Sequence, residues 1–144
     1  MGDWYYKGEI FSVNNAVEKI ADGYIGFIYE VTDNTNGKKY IGKKLLTTTK
    51  KLPPLKGTKR KRKKVVHSDW QTYYGSSELV KQLVEEREDT FSREILDFGS
   101  AKGELSYIEA KYHFDREVLL SDDYYNAFIG VKIHAKHVKN LWKK

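Results

Sequence analysis

Four side chains that could take part in acid–base or phosphate chemistry lie close together in the sequence: Tyr29, Tyr40, Lys43 and Lys44. A tyrosine hydroxyl has an unperturbed pKa of about 10, and it becomes a useful base only where nearby cations lower that pKa. The two lysines come shortly after Tyr40, so they could lower the pKa of a tyrosine or contact a phosphate. The alternative is that the tyrosines are ordinary cross-strand aromatic partners, since strands favour tyrosine.

A β-hairpin is the element predicted to position both tyrosines. Residues 23–31 alternate aromatic and β-branched side chains, which is typical of a strand. Residues 33–37 (DNTNG) form a turn cluster in which Asn36-Gly37 favours the positive φ angles of a tight hairpin. Residues 38–44 are then predicted to form the return strand, which would place the two tyrosine segments side by side.

The rest of the chain predicts a mixed α/β (α+β) fold in a single domain over residues 1–144. We expect a small central antiparallel sheet of about three strands flanked by helices, with residues 1–22 as an N-terminal extension and 131–144 as a basic C-terminal extension. Caps and apolar periodicity predict the following elements. They are a helix capped by Ser76 or Ser77, a strand over 91–98, a helix over 101–118, a short strand over 127–133 and a basic helix over 135–142.

The charge of the chain is concentrated in one segment. The net charge is +6, and residues 38–64 hold 13 of the 26 Lys and Arg residues and no Asp or Glu. Such a segment produces a field suited to a polyanion, of which nucleic acid is the commonest. Residues 47–72 lack a clear apolar period and contain both prolines, so we expect a long basic loop inserted at about 45–72. The alternative is a solvated, disordered loop with no partner.

Several classes of protein are excluded or disfavoured by composition. The chain has no cysteine, which excludes disulfides, thiolate zinc sites and cysteine nucleophiles. No apolar run approaches the roughly 18 residues that a membrane span needs, and the first ten residues lack the apolar core of a signal peptide. We therefore expect a cytoplasmic protein with no membrane partner and no small-molecule cofactor.

One pair of tripeptides resembles a known catalytic signature. Phe27-Ile28-Tyr29, ten intervening residues and then Tyr40-Ile41-Gly42 resemble the signature of the GIY-YIG nuclease superfamily. In that family two antiparallel strands each present a tyrosine to one metal-dependent active site. The chain departs from the pattern at Phe27, where the family has glycine, although Gly26 precedes it. The resemblance extends over about residues 23–130. It implies that the earlier Tyr-Ile-Gly at 24–26 repeats the tripeptide by chance and is not part of the signature.

The resemblance also implies a metal ligand and a conserved amide. The family's metal-binding glutamate lies on a helix after the third strand, where this chain has Glu109, and an asparagine follows near the end of the domain, where it has Asn126. One carboxylate with bound waters suits Mg²⁺ (or Mn²⁺), because Mg²⁺ keeps several waters. Taken alone, Glu109 could be a surface charge and Asn126 could cap a turn.

The family's catalytic arginine has no counterpart at the usual place. It commonly lies a few residues after the second tripeptide, often with His or Tyr one turn later, but the sequence there is KKLLTTTKKLPP. Arg60 and Arg62 are the nearest arginines, and His67, Tyr73 or Tyr74 could supply the imidazole or phenol. Lys43 or Lys44 could also assume the cationic role.

Taken together, the resemblance implies a divalent-metal-dependent endonuclease that hydrolyses double-stranded DNA by tyrosine-assisted activation of water. Small proteins of this pattern resemble phage-encoded nucleases that act in the host cell, including homing endonucleases. Two alternatives remain open: a non-catalytic nucleic-acid-binding module with the same fold, and a basic RNA-binding protein. The expected catalytic residues are Tyr29, Tyr40, Lys43, His67, Glu109 and Asn126, with Glu109 as the metal ligand. The expected DNA contacts are Lys44, Lys59, Arg60, Lys61, Arg62, Lys63, Lys64 and Tyr73.

Overall fold

The structure is a computed structural model, and it describes residues 2–130 and 135–141. Within them lie seven strands: β1 (Trp4–Tyr6), β2 (Glu9–Phe11), β3 (Gly26–Asp33), β4 (Lys39–Leu45), β5 (Thr47–Leu52), β6 (Arg62–His67) and β7 (Phe91–Gly99). The α-helices are α1 (Val13–Ala21), α2 (Glu78–Arg87) and α3 (Lys102–Asp115). Short 3₁₀ helices cover Trp70–Thr72, Glu88–Thr90 and Ala135–Leu141. No helix in the described part of the chain is long and apolar enough to cross a membrane.

Five of the strands form one mixed sheet in the order β2-β1-β7-β3-β4. The predicted hairpin is present as β3 and β4, and β3 also pairs antiparallel with β7. The prediction of about three antiparallel strands is wrong, because β1 pairs parallel with β7 and β2 adds a fifth strand. These two strands come from residues that the sequence suggested were an extension of the domain.

Burial of Trp4 explains why the N-terminal residues belong to the sheet. Its side chain is 2% exposed, its indole N–H donates to the carbonyl oxygen of Trp70 at 2.7 Å, and its ring meets that of Phe27 edge-on with centroids 5.0 Å apart. The helix that follows is capped by Ser12, whose hydroxyl accepts from the Asn15 backbone N–H. Strands of three residues are too short to produce the alternation by which a strand is recognised in sequence.

The basic segment is a β-ribbon over much of its length, so the prediction of a long loop is wrong there. Strands β5 and β6 pair antiparallel with Thr47 opposite His67 and Leu52 opposite Arg62, forming a two-stranded sheet of their own. The connection over 53–61 contains a turn in which Gly57 has a φ of +87°. Runs of β-branched residues at 47–49 and 65–66 favour these strands.

The remaining elements agree in part with the sequence. Ser77 caps α2, and its side chain accepts from the Val80 backbone N–H. Helix α3 ends at Asp115, before the predicted 118, and Glu117 adopts a positive φ of 50° just beyond it. Residues 127–130 form no strand, and 131–134 lie outside the described residues. The predicted terminal helix is a 3₁₀ helix over Ala135–Leu141, and Trp142 lies outside the described residues.

Alternation along β3 divides the core into two layers. Phe27, Tyr29 and Val31 belong to an aromatic-rich layer on one face of the sheet. On the other face, Ile28 joins Ile41 of β4 beneath α3. Cross-strand register extends this division to the edge strand β4, since residues opposite each other share a face. The two layers therefore meet the solvent at the β4 edge, where side chains from both faces can come together.

Candidate active site

The two signature tyrosines lie on one face of the β3–β4 hairpin. Their ring centroids are 6.3 Å apart with an interplanar angle of 33°. Tyr29 lies opposite Gly42 across the strand pair, and Tyr40 lies opposite Val31. A Cβ atom at Gly42 would be 2.3 Å from the Tyr29 hydroxyl oxygen, so the missing side chain leaves the space that this hydroxyl occupies. The Tyr29 side chain thus passes over β4 toward the edge of the sheet.

The segment after the first 3₁₀ helix encloses both tyrosines. The Tyr73 ring is nearly perpendicular to that of Tyr29, with centroids 5.9 Å apart. Gly75, at a φ of +122°, lies so close that an added Cβ would be 3.3 Å from the Tyr40 ring. The Ser76 hydroxyl is 3.1 Å from the Tyr40 hydroxyl, and either group can donate. The close backbone approach at Gly75 brings the segment over the tyrosine face of the hairpin.

Buried Arg93 on β7 fixes the backbone of this segment. One guanidinium nitrogen donates to the carbonyl oxygens of Gln71 at 3.0 Å and Tyr73 at 2.8 Å. The guanidinium lies 4.5 Å from the centroid of Trp4 and 4.1 Å from that of Tyr74. Burial lowers the pKa of Arg93. Its terminal nitrogens donate to backbone carbonyls, so Arg93 positions Tyr73 and does not replace the missing catalytic arginine.

Helix α3 brings Glu109 to the same sheet edge from the opposite face. Its carboxylate Oε1 is 3.9 Å from the ammonium Nζ of Lys43, which donates at 2.8 Å to the hydroxyl of Ser106. The Glu109 side chain is 16% exposed, and its carboxylate accepts no hydrogen bond from any residue that the structure describes. Burial raises the pKa of Glu109, while the nearby Lys43 and His113 partly offset that shift. The carboxylate is therefore largely desolvated and only partly neutralised.

The pKa shifts show that the tyrosines and Glu109 interact electrostatically. Burial raises the pKa of Tyr29 well above 10, and the neighbouring Tyr73, Tyr40 and Glu109 raise it further. Burial also raises the pKa of Tyr40; the hydrogen bond with Ser76 lowers it in part, and Glu109 raises it. Both tyrosines are neutral hydroxyls near pH 7 in this state. Either one would need additional positive charge beside it before it could act as a base.

Lys44 lies on the tyrosine face of β4, opposite Phe27 in the strand register. Its ammonium is 4.1 Å from the centroid of the Tyr73 ring and forms an ion pair with the Asp69 carboxylate. The Lys44 side chain is 18% exposed, whereas that of Lys43 is 41% exposed. A hydrogen bond from Lys44 lowers the pKa of Asp69. Two lysines therefore flank the site, one on each face, and Lys43 is the more accessible.

Asn126 binds the backbone of β4 rather than pointing freely into the cleft. Its side-chain amide donates to the Ile41 carbonyl at 2.8 Å, and its Oδ1 accepts from the Ile41 N–H at 3.1 Å. The buried His113 also lies against the Ile41 carbonyl, with Nε2 at 2.9 Å. These contacts fix the peptide between Tyr40 and Gly42, so Asn126 is placed to position the signature strand.

His67 lies at the base of the ribbon, apart from the cluster formed by Tyr29, Tyr40 and Glu109. Its Nδ1 accepts from the Trp70 indole N–H at 3.4 Å, and it makes no described hydrogen bond with either signature tyrosine or with Glu109. Arg62 donates to the Pro53 carbonyl at 3.2 Å. Neither Arg60 nor Arg62 forms a described hydrogen bond or ion pair with the cluster. The six expected DNA contacts on the ribbon and its tip are all exposed: Lys59, Arg60, Lys61, Arg62, Lys63 and Lys64.

A metal ion at this edge would depend on Glu109. In the described ranges no three His, Asp or Glu side chains come together as a metal-binding group. A single carboxylate still suits Mg²⁺ or Mn²⁺, because Mg²⁺ retains most of its waters and takes one or two carboxylates. The desolvated Glu109 carboxylate, which lacks hydrogen bonds among the described residues, fits that requirement. The residues present therefore fit a hydrated divalent ion.

Sequence reasoning missed the part that four residues play in shaping the site. Gly42 leaves the space that the Tyr29 hydroxyl occupies, and Gly75 and Ser76 pack against Tyr40. Arg93 holds the backbone of the Tyr73 segment by hydrogen bonds. A Gly-Ser pair directly before a helix was an available signal for a close approach, since glycine permits a positive φ. An arginine within an otherwise strand-like run was the signal at position 93, because an arginine is almost never fully buried unless it is paired.

Comparison with known protein families gives a match over most of the chain. The family model for the GIY-YIG domain of the proposed endonuclease segE matches residues 4–129. The match includes β1, which the sequence resemblance left out, and it ends shortly after Asn126. No curated protein and no solved structure matches the chain.

Proposed function

Because the chain belongs to the GIY-YIG endonuclease family represented by segE, we propose that it is a divalent-metal-dependent endonuclease that hydrolyses phosphodiester bonds in duplex DNA. The observation that carries this proposal is the convergence at the β4 edge. Tyr29 and Tyr40 lie on one face of the β3–β4 hairpin, and Glu109 reaches strand β4 from the other face, where its carboxylate is 3.9 Å from the Lys43 ammonium. The basic ribbon beside the edge offers a surface for the DNA backbone.

Glu109 is the residue that would hold the metal. When bound, Mg²⁺ or Mn²⁺ would supply a Lewis acid for the phosphoryl oxygens and offset the charge that develops in the transition state. Glu109 is suited to the role because its carboxylate is desolvated and accepts no hydrogen bond among the described residues. A bound cation would also remove the unfavourable effect of the Glu109 charge on ionisation of the two tyrosines.

Of the two tyrosines, Tyr40 is the better candidate for orienting or deprotonating the attacking water. Its side chain is half-buried and its hydroxyl meets the exposed Ser76, whereas the Tyr29 side chain is 1% exposed. Tyr29, packed between Tyr40 and Tyr73, would then hold the Tyr40 ring in position. A tyrosine with a raised pKa donates a hydrogen bond at neutral pH, and it becomes a base only after a cation enters the site.

Lys43 is the residue that we expect to take over the role of the family's arginine. Its ammonium is accessible, held by Ser106 and close to Glu109. A lysine offers a compact point charge and not the bidentate fork of an arginine, so it can stabilise a phosphate without fixing its orientation as strictly. Lys44 would contribute a second positive charge from the other face, and His67 would act on the DNA at the base of the ribbon.

Cleavage of supercoiled plasmid tests the proposal directly. We expect nicking or linearisation with Mg²⁺ or Mn²⁺, none with a chelator, and none by Glu109→Gln, because the amide cannot hold the ion. The exposed Glu86→Gln on α2 is the matched control and should cleave like the wild type. Activity that survives chelation, or an active Glu109→Gln, would contradict the assignment of the metal ligand.

Binding without cleavage is the second candidate function. It is favoured by one observation: no arginine forms a described hydrogen bond or ion pair with the tyrosine–glutamate cluster. A wild-type protein that binds DNA in a salt-sensitive manner but cleaves no DNA with any divalent ion would support a non-catalytic module. The family match argues against the RNA-binding alternative, which required the resemblance to be coincidental.

A further inference from the structure

The β5–β6 ribbon projects from the domain with both of its faces in solvent. Along its strands only Thr47, Leu52 and Val66 are half-buried, and the other side chains are exposed, including Val65 at 66%. In the described part of the chain its strands pair only with each other and are not part of the five-stranded sheet. At about 3.4 Å per residue, six paired residues extend roughly 20 Å from the body of the protein.

Positive charge covers both faces of the ribbon. Lys50 lies directly opposite Lys64, and Lys51 lies directly opposite Lys63. Successive residues of a strand point to opposite faces, so the two lysine pairs lie on different sides of the ribbon. Residues 50–64 contain nine Lys and Arg residues and no acidic residue. The ribbon is therefore an arm with positive charge all round and not a surface with one charged face.

This arrangement is unfavourable in the absence of a partner. Like charges directly opposite each other destabilise a strand pair, and an isolated two-stranded hairpin is only marginally stable in water. An acidic residue at any of the four lysine positions would relieve the repulsion, but the segment has none. A polyanion that surrounds the arm would neutralise both faces at once, whereas a flat anionic surface would reach only one.

The grooves of nucleic acids differ in whether they admit such an arm. The major groove of B-form DNA is about 12 Å wide and accepts a two-stranded β-ribbon, with phosphates on both sides, whereas the minor groove is about 6 Å wide. The major groove of an A-form RNA duplex is deep and narrow, and protein side chains cannot read it. Width and the distribution of charge therefore both favour the major groove of B-form DNA.

We propose that the β5–β6 ribbon enters the major groove of duplex DNA and places the neighbouring β4 edge against the DNA backbone. This inference rests on the proposed function, since it specifies how the nuclease holds its substrate. Strand β5 follows β4 after a single residue, Leu46. The lysines at the base of the arm, Lys43 and Lys44, are thus carried to the phosphates beside the groove that the arm occupies. The arm selects B-form duplexes and leaves the chemistry to the β4 edge.

Binding measured with a chelator present, so that no cleavage occurs, tests the proposal. Three labelled duplexes of one sequence are compared: DNA, RNA, and DNA with bulky C5 substituents on its pyrimidines, which fill the major groove. We expect the plain DNA duplex to bind most tightly and the other two at least about tenfold more weakly. A minor-groove ligand such as distamycin should compete poorly, since the arm leaves that groove free.

Two variants assign this preference to the arm. The first joins Thr49 to Val65 through Asn-Gly in place of residues 50–64, which keeps the three cross-strand pairs at the base. The second replaces the four paired lysines by glutamine and leaves the length unchanged, so it also covers the case in which the shortened protein fails to fold. It carries Lys50→Gln, Lys51→Gln, Lys63→Gln and Lys64→Gln. Its control has the same change in charge elsewhere on the surface: Lys7→Gln, Lys81→Gln, Lys111→Gln and Lys136→Gln.

The expected results separate this inference from the proposed function. The ribbon variant should lose the preference for plain DNA, and its log–log salt slope should be flatter by about 3 to 4, or about 0.9 per lost phosphate contact. The control should retain both. Equal binding of all three duplexes by the wild type, or unchanged discrimination in the ribbon variant, would overturn the inference. Metal-dependent plasmid cleavage by the wild type is measured beside these binding assays, and its absence would instead count against the proposed function.

Discussion

Replacement of Gly42 by alanine should destabilise the protein and disturb the candidate site together. The added Cβ would lie 2.3 Å from the Tyr29 hydroxyl oxygen and 2.6 Å from its Cζ atom. The Tyr29 ring cannot swing away, because Trp4, Tyr40 and Tyr73 surround it with centroids 5.8, 6.3 and 5.9 Å distant. Strands β3 and β4 must therefore separate, or the ring must leave its rotamer.

Overpacking of a closed core costs about 1–3 kcal/mol, and we expect a value in the upper half of that range. For a domain of this size each kcal/mol lowers Tm by about 2–4 °C, so the fall should be roughly 5–10 °C. Because a displacement of about 1 Å at a reacting group can reduce a rate about 100-fold, plasmid cleavage should decrease far more than the folded fraction does. Urea unfolding and cleavage at a temperature where the variant is folded measure the two effects.

A matched glycine and a double variant test the reasoning. Gly130→Ala is the control, since among the described residues its Cβ would meet the flexible Phe128 ring at 3.4 Å, an ordinary contact. Tyr29→Phe removes the closer of the two contacts at Gly42, so the double variant should lose less stability than the sum of the single variants. A Gly42→Ala protein as stable and as active as Gly130→Ala would refute the placement of the Tyr29 hydroxyl over Gly42.

Three further outcomes follow from buried polar groups. Burial raises the pKa of Glu109, so the negative charge of its carboxylate opposes folding above that pKa. Glu109→Gln should therefore unfold at a higher temperature than the wild type at pH 7–8, and the difference in Tm should vanish as pH falls below about 4.5. Mg²⁺ should raise the Tm of the wild type but not that of Glu109→Gln. The Arg87 guanidinium holds the pKa of the Asp33 carboxyl well below its usual range, so this ion pair stabilises the fold above about pH 4. Arg87→Met should therefore lower the Tm at pH 7. The thermal unfolding curves of the wild type and Arg87→Met should converge in acid, where Asp33 is protonated in both. Asn126→Ala removes both hydrogen bonds to Ile41 and should cost about 1–3 kcal/mol in urea unfolding; a variant as stable as the wild type but inactive would show a direct role in the reaction instead.

Local patterns in the sequence were sufficient for the elements that carry the candidate site. Alternation along β3, the turn before β4 and the Ser77 cap of α2 each depend on adjacent residues, so they can be recognised without knowledge of the fold. The pairing of β1 with β7 could not be recognised in this way, because it joins residues about ninety positions apart and β1 has only three residues.

In the candidate site, too, the sequence predicts features that depend on local patterns but not contacts between distant residues. Spacing and family resemblance singled out Tyr29, Tyr40 and Glu109, and the structure brings them to one edge. The binding of Asn126 to the Ile41 backbone joins positions 85 residues apart, so neither segment by itself predicts that contact. His67 was selected for its imidazole alone, and in the structure its ring nitrogen accepts from the indole of Trp70. Residue type identified candidates, while their surroundings depended on the folded chain.

The parallel pairing of β1 with β7 has a consequence for how the protein is made in the cell. A ribosome releases the N-terminal strand first, yet its partner is completed about ninety residues later, roughly 5–20 s at ordinary rates of synthesis. Until then β1 has an unpaired edge and Trp4 has no completed core to enter, and contacts so distant in sequence form slowly. Arg93 becomes available with β7, and Asn126, which binds the backbone of β4, follows later still. A nascent chain therefore lacks an assembled candidate site until nearly the whole domain has left the ribosome.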